Sequence, residues 1–373
     1  MRVGIDAYAL GGQLDGTQTH LRNLIRALAA VDPGGEYVLF VRPSLPPGAL
    51  AGAERMRRVE IGSATRLVRL PFASSRAVAR ARIGLLHVQF AAPLLCPARI
   101  VVTVHDILFE RYPQFFDPGD LKQLKLRVPL TLRRAAAVLT VSEFSKREIV
   151  QRYRVPPEKV VVTPNAADPM FRPIGDQAQL AAVRERYGIG AQYILFVGAL
   201  KPNKNLKTLV EAYVRLRRAD AIRHKLVLVG ARDWLYDHTF AAARAAGYAD
   251  ELVFTGHVPD EDLVALYSAA DLFVQPSLFE GFGLPSLEAM ACGTPVVTAH
   301  SAAIPEVVGD AALMVDPLDV EALAGAISTV LTDDALRACL STRGLQRAAA
   351  FSWETTARIV MGVYRDVGRT PGP

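Results

Sequence analysis

Short β-branched apolar runs alternate along this chain with longer stretches whose apolar residues recur at helical spacing. In the first half, runs at 3–5, 37–41, 59–61, 85–88, 100–104, 137–141 and 160–163 predict strands. Helical patterns occupy 21–30, 66–81, 121–134 and 145–153, with Ser142 as an N-cap before the last and Glu143 favouring its dipole. Residues 164–173 then place three prolines in ten positions, which predicts a domain boundary. Strands are expected again at 193–197, 225–229, 252–254, 271–274, 296–298 and 313–315. Helices are expected at 206–218, 239–246, 260–268, 320–331 and 334–349, with a final amphipathic helix at 353–367. Strands alternating with helical patterns predict parallel sheets covered on both faces. Two α/β domains are expected, 1–168 and 169–352, consistent with a length of 373 residues.

Between the strand at 271–274 and the helix ended by Gly293 lies Glu280-Gly281-Phe282-Gly283-Leu284-Pro285-Ser286-Leu287-Glu288. A strand, a glycine loop and a helix N-terminus form a ready anion site, because unpaired N–H groups and the helix dipole point at the ligand. The two carboxylates stand eight positions apart, one in the loop and one inside the helix. That spacing suits two contacts on one long polyhydroxylated ligand better than an acid/base pair on one bond.

The stretch PSLFEGFGLPSLEAMACGTPVV resembles the signature of retaining glycosyltransferases of family 4. FVGALKPNKNLKTLVEAY, TVHDILFERYP, VLTVSEFSKREIV, VVTPNAADPMFRP and LVFTGHVPDEDLVALYSAADLFV follow that family's order and spacing over nearly the whole chain. The resemblance implies the GT-B architecture, two doubly wound Rossmann-like domains facing across a cleft, with residues 353–373 crossing back onto the first. It also implies a nucleotide-sugar donor, here GDP-mannose in first place and a UDP-sugar in second. No further cofactor is expected. Front-face transfer with retention is implied, the acceptor being a glycan, a lipid-linked glycan or a soluble small molecule.

The same resemblance assigns roles. Glu288 accepts hydrogen bonds from the ribose hydroxyls, which suits a carboxylate with two acceptor oxygens. Glu280 and the N–H groups of Phe282 and Gly283 face the transferred sugar, Gly281 and Gly283 allow close backbone approach, and Leu284 is a further donor-binding candidate. Lys204, after an apolar strand, meets the diphosphate and stabilises charge growing on the leaving nucleotide. Many relatives carry an arginine where this chain has Asn203 or Ala199, so Lys204 acts alone or Lys201 substitutes. In the first loop, Gly12 and Gly16 approach the β-phosphate or the acceptor, Asp15 stands where a glycine is common, and His20 is an acceptor-side candidate. His105 points at the sugar's outer hydroxyls or the acceptor, with Asp106 beside it on the acceptor side. Catalytic roles thus fall to His105, Lys204 and Glu280. Glu306 is a supporting candidate.

Composition narrows the reading further. No apolar run approaches the ~18–20 residues of a membrane span, and the start lacks a signal-peptide core. The three scattered cysteines have no metal spacing, so a cytoplasmic protein with reduced thiols is expected. No metal is expected either: Asp260-Glu261-Asp262 reads as the acidic first turn of a helix, and His87, His224, His238, His257 and His300 are isolated. From 55 to 99 run Arg55, Arg57, Arg58, Arg66, Arg69, Arg76, Arg80, Arg82 and Arg99 against Glu60 alone. That run is either a solvated face or a patch for peripheral contact with an anionic membrane. Nucleic acid is not an expected partner, since no recognised nucleic-acid motif appears. A NAD-linked oxidoreductase would show G-x-G-x-x-G after the first strand, which Gly11, Gly12 and Gly16 do not form. A silent sugar-nucleotide-binding protein would lose Glu280, Glu288 or Lys204, and all three are present.

Overall fold

The structure is a computed structural model and describes residues 1–11, 16–43, 45–46, 48–62, 74–231 and 241–369. The chain divides into two compact units, Met1–Asn165 with Ser352–Pro373, and Ala166–Phe351. The division comes after Asn165 rather than 168. Phe171 already packs edge-on against Tyr267 of the second unit, at 5.8 Å between ring centroids.

In the first unit, β1 (Val3–Asp6), β2 (Tyr37–Val41), β3 (Arg57–Glu60), β4 (Leu85–Gln89), β5 (Arg99–Thr103), β6 (Ala137–Thr140) and β7 (Val160–Val162) form one sheet in the order β3-β2-β1-β4-β5-β6-β7. Every described pairing is parallel. Val38, Leu86, Val102 and Val138 join Val128 and Leu132 of the Pro118–Arg134 helix in one core. The final helix, Trp353–Arg369, belongs to this unit. Its Thr356 hydroxyl donates to the Pro164 carbonyl, and its Tyr364 hydroxyl meets His87 Nδ1 at 2.7 Å.

In the second unit, β8 (Tyr193–Val197), β9 (Lys225–Val229), β10 (Leu252–Gly256), β11 (Leu272–Gln275), β12 (Val296–Ala299) and β13 (Leu313–Val315) form a parallel sheet in the order β10-β9-β8-β11-β12-β13. Ile194, Leu226, Leu272 and Val297 pack with Leu209, Tyr213 and Ile327 from covering helices. Both sheets are doubly wound. The strand order reverses between β1 and β4 in one and between β8 and β11 in the other, and such switch points bind ligands at the carboxyl ends of their strands.

Of the expected helices, 66–81 is described from Ser74 to Arg80 and 239–246 from Ala241 to Ala245; their earlier residues lie outside the described set. Three described α-helices, Leu108–Arg111, Gln177–Arg186 and Ile304–Val308, were not expected. The arginine run does not form one face among its described members. Arg57 and Arg58 lie on edge strand β3, Arg76 and Arg80 on the Ser74–Arg80 helix, and Arg99 opens β5, where its guanidinium donates to the Val367 carbonyl. Arg66 and Arg69 lie outside the described residues.

Candidate active site

The loops after β8 and β11 meet at the second unit's switch point. After β8, Gly198 and Gly230 bring two backbones together: a Cβ on Gly230, at φ +145°, would lie 2.1 Å from the Gly198 carbonyl oxygen. The chain then turns through Pro202–Lys204, and Asn205 takes a left-handed φ of +55°. The Asn205 side chain secures this turn by donating to the Pro276 and Pro317 carbonyls. Asn203 is buried, and its carbonyl accepts from the Leu278 N–H at 2.8 Å. It ties the two loops together rather than supplying charge. Lys201 is exposed.

Lys204 Nζ lies 2.7 Å from Glu280 Oε1, with side chains only 18% and 12% exposed. The same oxygen accepts from Gln275 Nε2 at 2.9 Å, and Gln275 Oε1 accepts from the Ser286 hydroxyl at 2.6 Å. Gln275 ends β11 and Ser286 lies in the Leu284–Ala291 helix, both buried. A chain of hydrogen bonds therefore runs from helix to strand end to carboxylate to ammonium. It fixes Glu280 in one position and uses one oxygen of its carboxylate for both partners.

Gly283 precedes that helix in a left-handed conformation at φ +99°, and a Cβ there would lie 2.5 Å from Ile304 Cδ1. Phe282 is buried edge-on to Phe351, which leaves its backbone as its polar contribution. Leu284 begins the helix and Gly293, at φ +78°, follows its end. Glu288 is buried within it, and the Tyr267 hydroxyl donates to Oε2 at 3.1 Å. Burial raises the Tyr267 pKa well above the usual phenol value, with the Glu288 charge adding to the effect. Tyr267 thus remains a donor to the carboxylate across the physiological range. Burial likewise pushes Cys292 up to about 12, so this thiol is not a nucleophile.

In the first unit, Gly16 opens the Gly16–Val31 helix, while Gly12 and Asp15 lie outside the described residues. Gly11 is held on both sides: its N–H donates to Gln18 Oε1 at 3.0 Å, and its carbonyl accepts from Arg42 Nη1 at 3.1 Å. His20 is buried, with Nδ1 2.7 Å from Asn165 Oδ1 and, among the described residues, no hydrogen-bond partner for Nε2. Its ring meets His105 edge-on at 4.7 Å and Trp353 at 5.6 Å. His105 follows β5, and its Nε2 lies 2.9 Å from Oε1 of Gln89, the last residue of β4. Burial, helped by His20 and His87, lowers the His105 pKa well below the usual imidazole value. His105 therefore works as a neutral group that can donate or accept a hydrogen bond.

Asp106 Oδ1 accepts from the Leu108 N–H at 2.9 Å, an Asx-type turn that shapes the chain after His105. His87 is not isolated: it joins Tyr364 and Thr103 through its two ring nitrogens, both at 2.7 Å. His224 lies 3.6 Å from Asp271, and His238 lies outside the described residues. Glu306 has an exposed side chain on the short Ile304–Val308 helix. Asp262 is bound by Arg186 Nη1 at 2.7 Å and the Tyr187 hydroxyl at 2.7 Å, in the first turn of the Asp260–Ala269 helix. Among the described residues no group of three His, Cys, Asp or Glu side chains is placed to hold a metal ion.

Gln275, Ser286, Tyr267 and Gln89 were not anticipated. Gln275 alone left a signal, as a polar residue closing the otherwise apolar Leu272-Phe273-Val274 strand.

Known proteins place these loops in context. Residues 14–171 match the family described as Glycosyltransferase Family 4, and residues 183–347 that described as Glycosyl transferases group 1. O-antigen chain mannosyltransferase B of Escherichia coli is 37% identical over 268 residues, 72% of this chain and 70% of that protein. The chain belongs to this glycosyltransferase family. Its fold matches that of a sucrose-phosphate synthase from Thermosynechococcus elongatus, with TM-score 0.76 at 23% identity over 98% of this chain and 99% of that one. It also matches Anabaena HepE in complex with UDP and glucose, with TM-score 0.78 at 19% identity over 98% and 99%. This glycosyltransferase thus has the GT-B arrangement of two Rossmann-like domains.

Proposed function

We propose that the enzyme moves a hexose, mannose in first place, from a nucleotide sugar to a hydroxyl of a glycan, with retention at the anomeric carbon and the acceptor carried on lipid. The observation that carries the proposal is the Lys204–Glu280 pair at the switch-point loops after β8 and β11. Mannose and a glycan acceptor are favoured by the 37% identical O-antigen chain mannosyltransferase B. A UDP-sugar with a soluble acceptor is the second reading, supported by the fold shared with HepE, which was solved with UDP and glucose.

In this reading Lys204 meets the diphosphate, whose arrival loosens its bond to Glu280. As the bond from the anomeric carbon to the phosphate oxygen breaks, the ammonium offsets the charge left on that oxygen. The acceptor oxygen bonds to the same face of the carbon, and its proton passes to the departing phosphate oxygen. Glu280, released from Lys204 but still held by Gln275, accepts from sugar hydroxyls. Glu288 takes the ribose hydroxyls, and neutral His105 exchanges a hydrogen bond with a sugar or acceptor hydroxyl. No metal enters this scheme. The enzyme works on the cytoplasmic side in peripheral contact with an anionic membrane.

Thermal-shift measurements with GDP, UDP, NAD and their sugar conjugates test the donor, since a ligand bound only by the folded state raises the melting point. Stabilisation by GDP and GDP-mannose is expected. Stabilisation by UDP alone would move the assignment to the second reading, and indifference to every nucleotide would overturn both.

A further inference from the structure

Among the described residues, four of the seven exposed large apolar side chains lie in one region of the first unit: Leu94 at 53%, Leu95 at 68%, Leu126 at 61% and Leu130 at 38%. The first two occupy the β4–β5 connection and the others the Pro118–Arg134 helix. Hydrogen bonds join the two segments: the Ala92 N–H donates to Thr131 Oγ1 at 3.0 Å, and Arg134 Nη1 donates to the Pro93 carbonyl at 3.2 Å. On the opposite side of the helix, Val128, Thr131 and Leu132 are buried, so its orientation is fixed.

The exposed face has a regular order. Residues four apart lie one above another on a helix. Lys122, Leu126, Leu130 and Arg134 therefore make one row, with leucines in the middle and cations at the ends, and Lys125 and Arg133 flank it. All six side chains are exposed. From 121 to 142 the sequence holds five Lys or Arg and no Asp or Glu. Lys122, Lys125 and Arg133 form no ion pair among the described residues.

We propose that this face docks on an anionic lipid bilayer. Leu94, Leu95, Leu126 and Leu130 enter the boundary between headgroups and acyl chains, while Lys122, Lys125 and Arg133 reach up to the lipid phosphates. Charge decides the occupant. Interleaved leucines and unopposed cations match a surface that is apolar below and anionic above. A second copy of the chain would instead set these cations against one another. The connection that leaves β5 carries His105 and then runs into the docking helix. The proposal deepens the reading of a lipid-linked acceptor and rests on it for its purpose, but the docking itself is measured separately. It also moves the membrane contact away from the Arg55–Arg99 run.

The test is sedimentation of the full chain with phosphatidylcholine vesicles, with and without phosphatidylglycerol. The wild type should bind only the anionic vesicles, and less as salt rises. Leu126→Gln with Leu130→Gln should lower partitioning on the order of tenfold or more, because two leucines no longer leave water. Lys122→Gln with Lys125→Gln and Arg133→Gln should remove the preference for anionic lipid. Arg76→Gln with Arg80→Gln and Arg82→Gln should leave binding unchanged. All variants should keep the wild-type melting point and nucleotide affinity. Equal vesicle binding by the wild type and the leucine variant overturns the proposal, as does loss confined to the Arg76, Arg80 and Arg82 variant. A leucine variant that changes only the oligomeric state assigns the face to a second copy and also overturns it. Absent vesicle binding with intact transfer to a detergent-solubilised lipid-linked acceptor defeats the docking alone. Vesicle binding without transfer to any lipid-linked acceptor defeats the acceptor reading alone.

Discussion

Glu280 carries one negative charge and two committed donors, and that sharing makes Gln275 important for a reaction it does not touch. Removing the amide in Gln275→Leu leaves Glu280 held by Lys204 alone and strands the buried Ser286 hydroxyl without its acceptor. An unsatisfied buried group costs about 1–3 kcal/mol, so stability should fall by about that amount. If, as proposed, the donor diphosphate draws Lys204 away, Glu280 should lose its orientation, and kcat should fall more than KM rises. Gln275→Glu should not rescue, because a second carboxylate would face Glu280. Steady-state kinetics decide the matter: an unchanged kcat in Gln275→Leu would reduce Gln275 to a packing residue. For Glu288→Gln the expected loss is in binding. Charge-assisted hydrogen bonds are worth roughly 1.5–3 kcal/mol, so nucleotide affinity should drop about tenfold or more. Tyr267 should keep the glutamine in place, and calorimetry showing unchanged affinity would remove Glu288 from the ribose contact.

At the scale of elements, Asp262 distinguishes a helix junction from a metal site. Its carboxylate joins the Asp260–Ala269 helix to Arg186 and Tyr187 at the end of the Gln177–Arg186 helix. Asp262→Asn should therefore lower the melting point by a few degrees and leave kcat unaltered. Transfer should continue in EDTA; activity lost in chelator and restored by Mn²⁺ would make the acidic triplet a working metal site. The same junction shows where the sequence stopped being legible. Parallel strands such as Tyr193–Val197 read as continuous apolar runs because both faces are covered. The Gln177–Arg186 helix buries only Leu180 and Val183, too few for a helical period to emerge. Motif residues were visible because Glu280, Gly283 and Glu288 lie in one short stretch. Their pairings were not, because Lys204 meets Glu280 across 76 positions and His20 meets Asn165 across 145. Those pairings depend on strand order, which local periodicity does not encode.

For the molecule as a whole, the buried histidines of the first unit tie stability to pH. Burial pushes His20 down to about 4, partly offset by its bond to Asn165, and His87 down to about 3, with His20 adding to the effect. In the unfolded chain both titrate near 6.5. Above about pH 6.5 neither state holds the extra proton, and the native contribution is complete. Below it the unfolded chain takes up protons that the folded unit refuses, so stability falls as pH falls, down to the folded values near 4 and 3. Each histidine should contribute a slope of about 1.4 kcal/mol per pH unit across that window. His87→Phe should flatten the slope at the cost of the Tyr364 and Thr103 bonds. Because His87 fastens the Trp353–Arg369 helix through Tyr364, acid should loosen this helix together with the β4–β5 region. Hydrogen exchange followed from neutral pH downward should show protection lost first in Met1–Asn165 and the final helix, with Ala166–Phe351 following. Constant protection throughout the window, or earlier loss in the second unit, would show that these histidines do not control the acid limit. Loss in the first unit alone would mean that nucleotide binding, which the proposed function assigns to Lys204, Glu280 and Glu288, outlasts transfer as the solution is acidified.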